Sequence, residues 1–228
     1  WPKFNGDISG WDTSAATEMV STFYKSGFNG NISQWNTSKV TTMENMFKQS
    51  KFNGDLSAWD VSRVETMTGM FENSYFNGDI SKWSVGRVKM MVGMFNTAKF
   101  NKDISHWNVS AVVNMKNMFK SSKFNKDISR WDVSNVYSME NMFFKGTFKG
   151  DLSKWKVENV RDFHGMFAYS PFNGDISNWN TKSAKDMNSM FARTPFNGDI
   201  SRWNVSNVQY MQSMFNKGLF NGDLSKWD

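Results

Sequence analysis

Residues 52–75 read FNGDLSAWDVSRVETMTGMFENSY, and this stretch recurs along the chain at intervals of 24 residues. Counting Phe52 as position 1, every copy has Phe at position 1 and Trp at position 8. Nine complete copies begin at Phe4 and follow one another without insertion or deletion, and a partial tenth copy ends at Asp228. So short a unit cannot bury its own apolar face, so the copies must stack with identical positions above one another. We therefore expect residues 1–228 to form one solenoid, as a fragment of a longer array.

The apolar spacing within the unit predicts one short strand and one short helix. In Val64–Phe71 the apolar residues fall at i, i+3, i+6 and i+7, which gathers them on one face of a helix. The small residue at position 23 and a frequent Asn-Gly pair then favour a turn, and Asp55–Trp59 fit one extended segment. The expected fold is a right-handed α/β solenoid whose interior holds ladders of Phe, Ile or Leu, Trp, Val and Met.

The composition argues against most enzymes. The chain has no Cys and only two His, His106 and His164, so disulfides, cysteine-ligated zinc and a cysteine nucleophile are excluded. No phosphate-binding glycine loop or nucleophile elbow occurs, and the repeated Asn-Gly is a turn signal. No apolar run is long enough to span a membrane. We predict a non-enzymatic protein with no catalytic residues, no cofactor and no transmembrane segment.

The recurring string MF…FNxDISxWDVSxVxxM, as in Met142–Trp155, resembles the tandem repeats of BspA-like bacterial surface proteins and lipoproteins. That group is treated as a divergent relative of leucine-rich repeats, and the resemblance covers essentially the whole chain. It implies a leucine-rich-repeat-like solenoid that is exposed on a cell surface or secreted, with an adhesin-like role. It implies no catalytic residues.

Position 4 forms a ladder of aspartates, with Asn31 replacing Asp once. Stacked carboxylates repel one another, so something must stabilise the row. Each Asp could accept backbone N–H groups in the turn it occupies. The alternative is a line of calcium sites, for which the candidate ligands are Asp55, Asp79, Asp103 and Asp127.

Position 7 is variable but rich in basic residues, and it predicts a basic stripe that could bind an anionic polymer. The stripe consists of Lys82, His106, Arg130, Lys154 and Arg202, followed by Lys226. The alternative is that these side chains pair with the aspartates or only keep the surface soluble. Nucleic acid is the least expected partner, because few exposed aromatic residues interleave with the charges.

Three aromatic residues occupy positions that need no apolar side chain for packing: Tyr137, Phe144 and Tyr169. They fall in two adjacent units, and the second of these, which begins at Phe148, is the most divergent copy. Together with the basic stripe they are our candidate ligand-binding residues.

Two functions follow from this reading. The first is a surface or secreted scaffold that binds a protein or polysaccharide of another cell, a matrix or a wall. The second is a structural subunit or spacer that stacks end to end into an extracellular filament or sheath, since neither end of the array has a clear cap.

Overall fold

The computed structural model describes residues 3–227 and shows a stack of coils, one coil for each sequence unit. Coil 1 comprises residues 4–27, each following coil begins 24 residues later, and coil 9 comprises residues 196–219. Within the described residues there is no helix, and the only β-structure is a series of isolated parallel bridges between successive coils. These bridges all lie at position 15 and join, in order, Glu18, Thr42, Thr66, Met90, Asn114, Ser138, Asp162, Asp186 and Tyr210.

The expected α/β, leucine-rich-repeat-like solenoid with a helix and a strand in each unit is therefore wrong. Val64–Phe71 form no helix and Asp55–Trp59 form no strand. The stretch predicted as helical is instead a run of turns. The N–H of Met70 donates to the carbonyl of Met67, three residues earlier, at 3.1 Å. This is a turn hydrogen bond, and the pattern does not continue into a helix.

The neighbouring coil supplies the hydrogen bonds that a helix would have made internally. The N–H of Met67 donates to the carbonyl of Met90 at 3.0 Å, and the N–H of Phe71 donates to that of Met94 at 3.0 Å. In this stretch every second backbone N–H points along the stack and donates to a carbonyl of the next coil. The hydrogen-bonding requirement of the backbone is therefore met without regular secondary structure.

Two left-handed residues per coil enforce this path. Positions 18 and 22 have positive φ in all nine complete coils, with values between 51° and 61°. A residue in this region interrupts a right-handed helix. Position 18 is occupied by Gly, Asn or Ser, for example Gly69 with φ 61° and Asn141 with φ 53°, and Gly and Asn tolerate this conformation best.

The interior is built as expected from stacked apolar ladders. In the central coils the apolar residues at positions 1, 5, 8, 10, 13, 16, 19 and 20 are buried. Rings stack along the axis, as between Phe76 and Phe100 with centroids 6.3 Å apart. From coil 2 onward the polar atom of the position 8 tryptophan is also paired: Nε1 of Trp107 donates to the carbonyl of Ile80 in the preceding coil at 3.1 Å. This bond satisfies the one group that would oppose burial of the ring.

A ladder of asparagines at position 2 links the outer edges of the coils. The N–H of Asn101 donates to Oδ1 of Asn77 at 2.9 Å, and the same bond joins most neighbouring coils. Lys149 replaces asparagine in coil 7. Its N–H donates to Oδ1 of Asn125 at 2.9 Å, but Lys149 offers no side-chain oxygen to Asn173 in the next coil. The ladder is therefore broken between coils 7 and 8.

Residues 3–227 contain no helix with the length and hydropathy needed to cross a membrane.

Candidate functional site

Basic residues concentrate at three outward positions of the coils. Positions 21, 22 and 24 carry ten Lys and Arg residues but one acidic residue, Glu72, which leaves 17 basic and 20 acidic residues for the rest of the chain. We call this surface the basic face, and its cations are Lys3, Lys25, Lys48, Lys51, Lys99, Lys120, Lys123, Lys145, Arg193 and Lys217. All ten are exposed or half-buried, whereas position 23 between them points into the core. Acidic residues outnumber basic ones in the rest of the chain, so the net charge of +6 comes from the basic face.

Two of the candidate aromatic residues lie on the basic face and contact each other. The rings of Phe144 and Tyr169 have centroids 5.5 Å apart and are inclined at 59°. Lys145 Nζ lies 5.3 Å from the centroid of each ring. Lys120 Nζ lies 5.5 Å from the Phe144 ring, and Arg193 Cζ lies 5.3 Å from the Tyr169 ring. These five side chains, from coils 5 to 8, form a continuous series that we call the cation–aromatic row.

Tyr137 is separate from this row. It stands at position 14, and its hydroxyl oxygen accepts a hydrogen bond from Nδ2 of Asn114 at 2.9 Å. Among the described residues it makes no ring contact with Phe144 or Tyr169. The structure therefore brings together two of the three predicted aromatic residues.

The cations of the row keep their charge uncompensated. Within the described residues, the ion pair on the basic face is that of Lys48 Nζ with Glu72 Oε2 at 3.0 Å. Lys120, Lys145 and Arg193 form no ion pair within that part of the chain, and their contacts are with neutral rings. A ring attracts a cation through its quadrupole, by about 0.5–1 kcal/mol at an exposed site, without cancelling the charge.

The predicted basic stripe at position 7 lies in a different electrostatic setting. Lys82, His106, Arg130, Lys154 and Arg202 are all exposed, but they alternate with the position 4 aspartates. Positions 2–9 together hold thirteen acidic and nine basic residues. The shallow grooves between these coils differ in charge: the groove of about 520 Å³ lined by Lys102, Asp103, Lys126 and Asp127 is balanced, whereas the groove lined by Arg130, Asp132, Lys154 and Lys156 is mainly basic. In coils 4–9, which carry the stripe, these positions hold seven acidic and eight basic residues, so the surface around the stripe is close to neutral and suits a polyanion less well than the basic face does.

The aspartates themselves cap local turns. Oδ1 of Asp103 accepts the N–H of Ser105 at 2.9 Å, and the corresponding bond occurs in the other coils, including 3.0 Å for Asn31. The Ser105 backbone N–H, helped by its hydroxyl, holds the pKa of Asp103 below its ordinary value. In the described part of the chain, no three His, Asp or Glu side chains converge as a metal site would require. Binding of calcium at Asp55, Asp79, Asp103 and Asp127 stays a prediction that nothing in this geometry supports.

Asp162 differs from the position 4 aspartates, because the pKa of its carboxyl is raised. Asp162, at position 15, is partly buried, and burial raises the pKa of its carboxyl, with further contributions from Glu140 and Asp186. Its Oδ1 accepts the N–H of His164 at 2.9 Å, and His164 Nδ1 lies 3.9 Å from Asp186 Oδ1. The carboxylate of Asp162 is therefore held in a site that disfavours its charge.

The basic face was not predicted from the sequence, because a basic stripe was sought only at position 7. The excess of basic residues at positions 21, 22 and 24 can be counted from the sequence. That positions 21 and 22 of neighbouring coils lie together, as the contacts of Lys120 and Lys145 with the Phe144 ring show, became known only from the structure.

Comparison with known protein families gives a match that covers the whole chain. A family described as Mycoplasma protein of unknown function, DUF285, matches residues 1–99, 51–151, 74–171 and 144–228. The overlapping segments reflect the tandem repeat. No curated protein matches the chain, and no solved structure does so either.

Proposed function

The chain belongs to the repeat family described as Mycoplasma protein of unknown function, DUF285, and we propose that it is a non-enzymatic, adhesin-like scaffold that binds an anionic polymer. The polymer belongs to a host cell, a matrix or a wall, and it binds along the basic face.

The observation that carries this proposal is the segregation of charge. Ten basic residues against one acidic residue on one surface create a positive potential that attracts a polyanion and speeds its association. Because identical positions stack coil upon coil, the basic face extends along the array. An extended positive surface is complementary to a linear polymer.

Exposure on a cell surface or secretion belongs to the same proposal, and it is supported by the resemblance to BspA-like surface repeats. Protease treatment of intact source cells tests this location. Cleavage of the protein while cytoplasmic markers survive is the expected result, and full protection would contradict a surface location.

The binding proposal is tested by comparing two triple Gln variants on immobilised heparin, used as a sulfated polyanion. One variant neutralises the basic face, and its changes are Lys51→Gln, Lys99→Gln and Lys123→Gln. The other neutralises the position 7 stripe, with Lys82→Gln, Arg130→Gln and Lys154→Gln. Both remove three positive charges, so net charge cannot distinguish them.

We expect the basic-face variant to elute at lower salt and to show a weaker salt dependence, since fewer counterions are released on binding. The stripe variant should elute close to the wild type. Equal losses in the two variants would mean that only net charge matters, and a larger loss in the stripe variant would place binding on the position 7 surface.

The structural alternative, end-to-end stacking into a filament, stays a prediction. Sedimentation velocity over a range of concentrations tests it, and growth into linear species would support it.

A further inference from the structure

We infer that the cation–aromatic row of Lys120, Phe144, Lys145, Tyr169 and Arg193 is the strongest binding site on the basic face, and that its ligand is a linear sulfated glycan. The inference rests on the proposed function and narrows it to one site and one class of polymer.

The rings pre-organise the cationic side chains of the row. Lys and Arg side chains are flexible, and fixing each of them on binding lowers affinity. In the row, each ring contacts two cations, and Lys145 lies 5.3 Å from both centroids. The rings therefore restrict the three cationic groups before any ligand arrives, so less conformational entropy is lost when it binds.

The cations of the row also keep their full charge available to a ligand. Other lysines on the chain are also held in place, but by carboxylates: Lys116 Nζ pairs with Glu140 Oε2 at 2.6 Å and Lys48 Nζ pairs with Glu72 Oε2 at 3.0 Å. A polyanion that approached those lysines would meet the carboxylates as well. In the row the holding groups are neutral, so ordering of the cations does not reduce their charge.

The spacing of the three cations along the stack favours a polymer as the ligand. Lys120, Lys145 and Arg193 stand in coils 5, 6 and 8, with Tyr169 of coil 7 between the last two. The core rings at position 20 of these coils are 5.8–5.9 Å apart from one coil to the next, which sets an upper limit on the rise of the stack per coil. The cations are thus distributed along the axis. A polymer with charged groups at intervals along its length can contact all three, and this favours a polymer over a small anion.

The contacts of the two rings favour a glycan over a nucleic acid as the ligand. Single-stranded nucleic acids bind aromatic residues by stacking bases on open ring faces. The rings of Phe144 and Tyr169 are already engaged by two cations each and by one another. Sulfate esters need no ring, because they interact with Lys and Arg as anionic hydrogen-bond acceptors. The row therefore offers charges to sulfate groups but no free platform for bases.

The test is the double variant Phe144→Leu with Tyr169→Leu, which removes both rings and keeps every charge. The probe is a size-defined heparin oligosaccharide, with its desulfated form and a single-stranded DNA of similar length as competitors. Tyr75→Leu is the matched control, because Tyr75 is exposed on the same face and no cation lies over its ring among the described residues.

We expect the double variant to bind the oligosaccharide about tenfold more weakly, since the cations must then be ordered on binding. Tyr75→Leu should bind like the wild type, and the desulfated form should not compete. Unchanged affinity in the double variant would overturn the inference. The proposed function would survive that result if the Lys51, Lys99 and Lys123 variant still lost binding.

A second pair of variants guards against a loss of folding in the double variant. Lys145 and Lys217 both stand at position 22 and are exposed, but only Lys145 belongs to the row. Lys145→Gln should weaken binding clearly more than Lys217→Gln. Equal effects would overturn the inference, as would tighter binding of the DNA or of anionic lipid vesicles than of the sulfated oligosaccharide.

Discussion

Lys149→Asn should stabilise the protein, because it would complete the asparagine ladder between coils 7 and 8. Oδ1 of the new asparagine would face the N–H of Asn173, as Oδ1 of Asn173 faces the N–H of Asn197 at 3.0 Å. One intramolecular hydrogen bond of this kind contributes about 0.5–1.5 kcal/mol. Asn173 is exposed and water can hydrate its amide, so we expect a gain near the lower end, about 0.5 kcal/mol.

The assay combines urea unfolding with hydrogen exchange at the Asn173 amide. The control is Lys149→Ala, which removes the same charge without adding an oxygen. We expect the Asn variant to be more stable than both the wild type and the Ala variant, and to slow exchange at Asn173. If the Asn and Ala variants were equally stable and the amide exchanged at the wild-type rate, the ladder would contribute nothing and the reasoning would be refuted.

Four further changes test the core, the left-handed backbone and the charges. Trp107→Ala should cost about 3–5 kcal/mol of unfolding free energy, since a buried ring in a central coil is lost, and a denaturation loss under about 1 kcal/mol would contradict this packing. Gly165→Ala should cost more than about 1 kcal/mol, because φ there is 57° and the added Cβ would clash with Oδ1 of Asn141; an unchanged unfolding midpoint would argue against this conformation. Lowering the pH below about 4 should destabilise the fold, because aspartates such as Asp103 have lowered pKa values in the folded state and their contribution is lost as they become protonated. Asp162 has the opposite sign, since its pKa is raised, so Asp162→Asn should raise the unfolding midpoint at pH 7, and a lower midpoint would refute this.

The mistaken helix has a clear physical origin. Apolar spacing at i, i+3, i+6 and i+7 reports which side chains point inward, and a helix is the usual way to achieve that spacing. In Val64–Phe71 a run of turns achieves it instead, because the amides of Met67 and Phe71 find acceptors in the next coil. The frequent Gly and Asn at position 18 were the available signal, since a helix interior disfavours Gly.

The candidate site was predicted in part. Phe144 and Tyr169 were singled out because their positions need no apolar residue, and the structure places them in contact. Tyr137 met the same criterion but lies at position 14, away from them. A criterion based on one position at a time cannot tell which positions share a surface.

The period of 24, the inward ladders and the absence of cysteine chemistry follow directly from the sequence, because they depend on residue type and spacing alone. The way the backbone closes each coil, and the outward positions that lie together, depend on the stacked fold. Both depend on hydrogen bonds between residues 24 or so apart and on two left-handed residues in each coil. Local spacing contains no information about a partner that lies in the next coil, so the basic face and its cation–aromatic row emerged only when the coils were stacked.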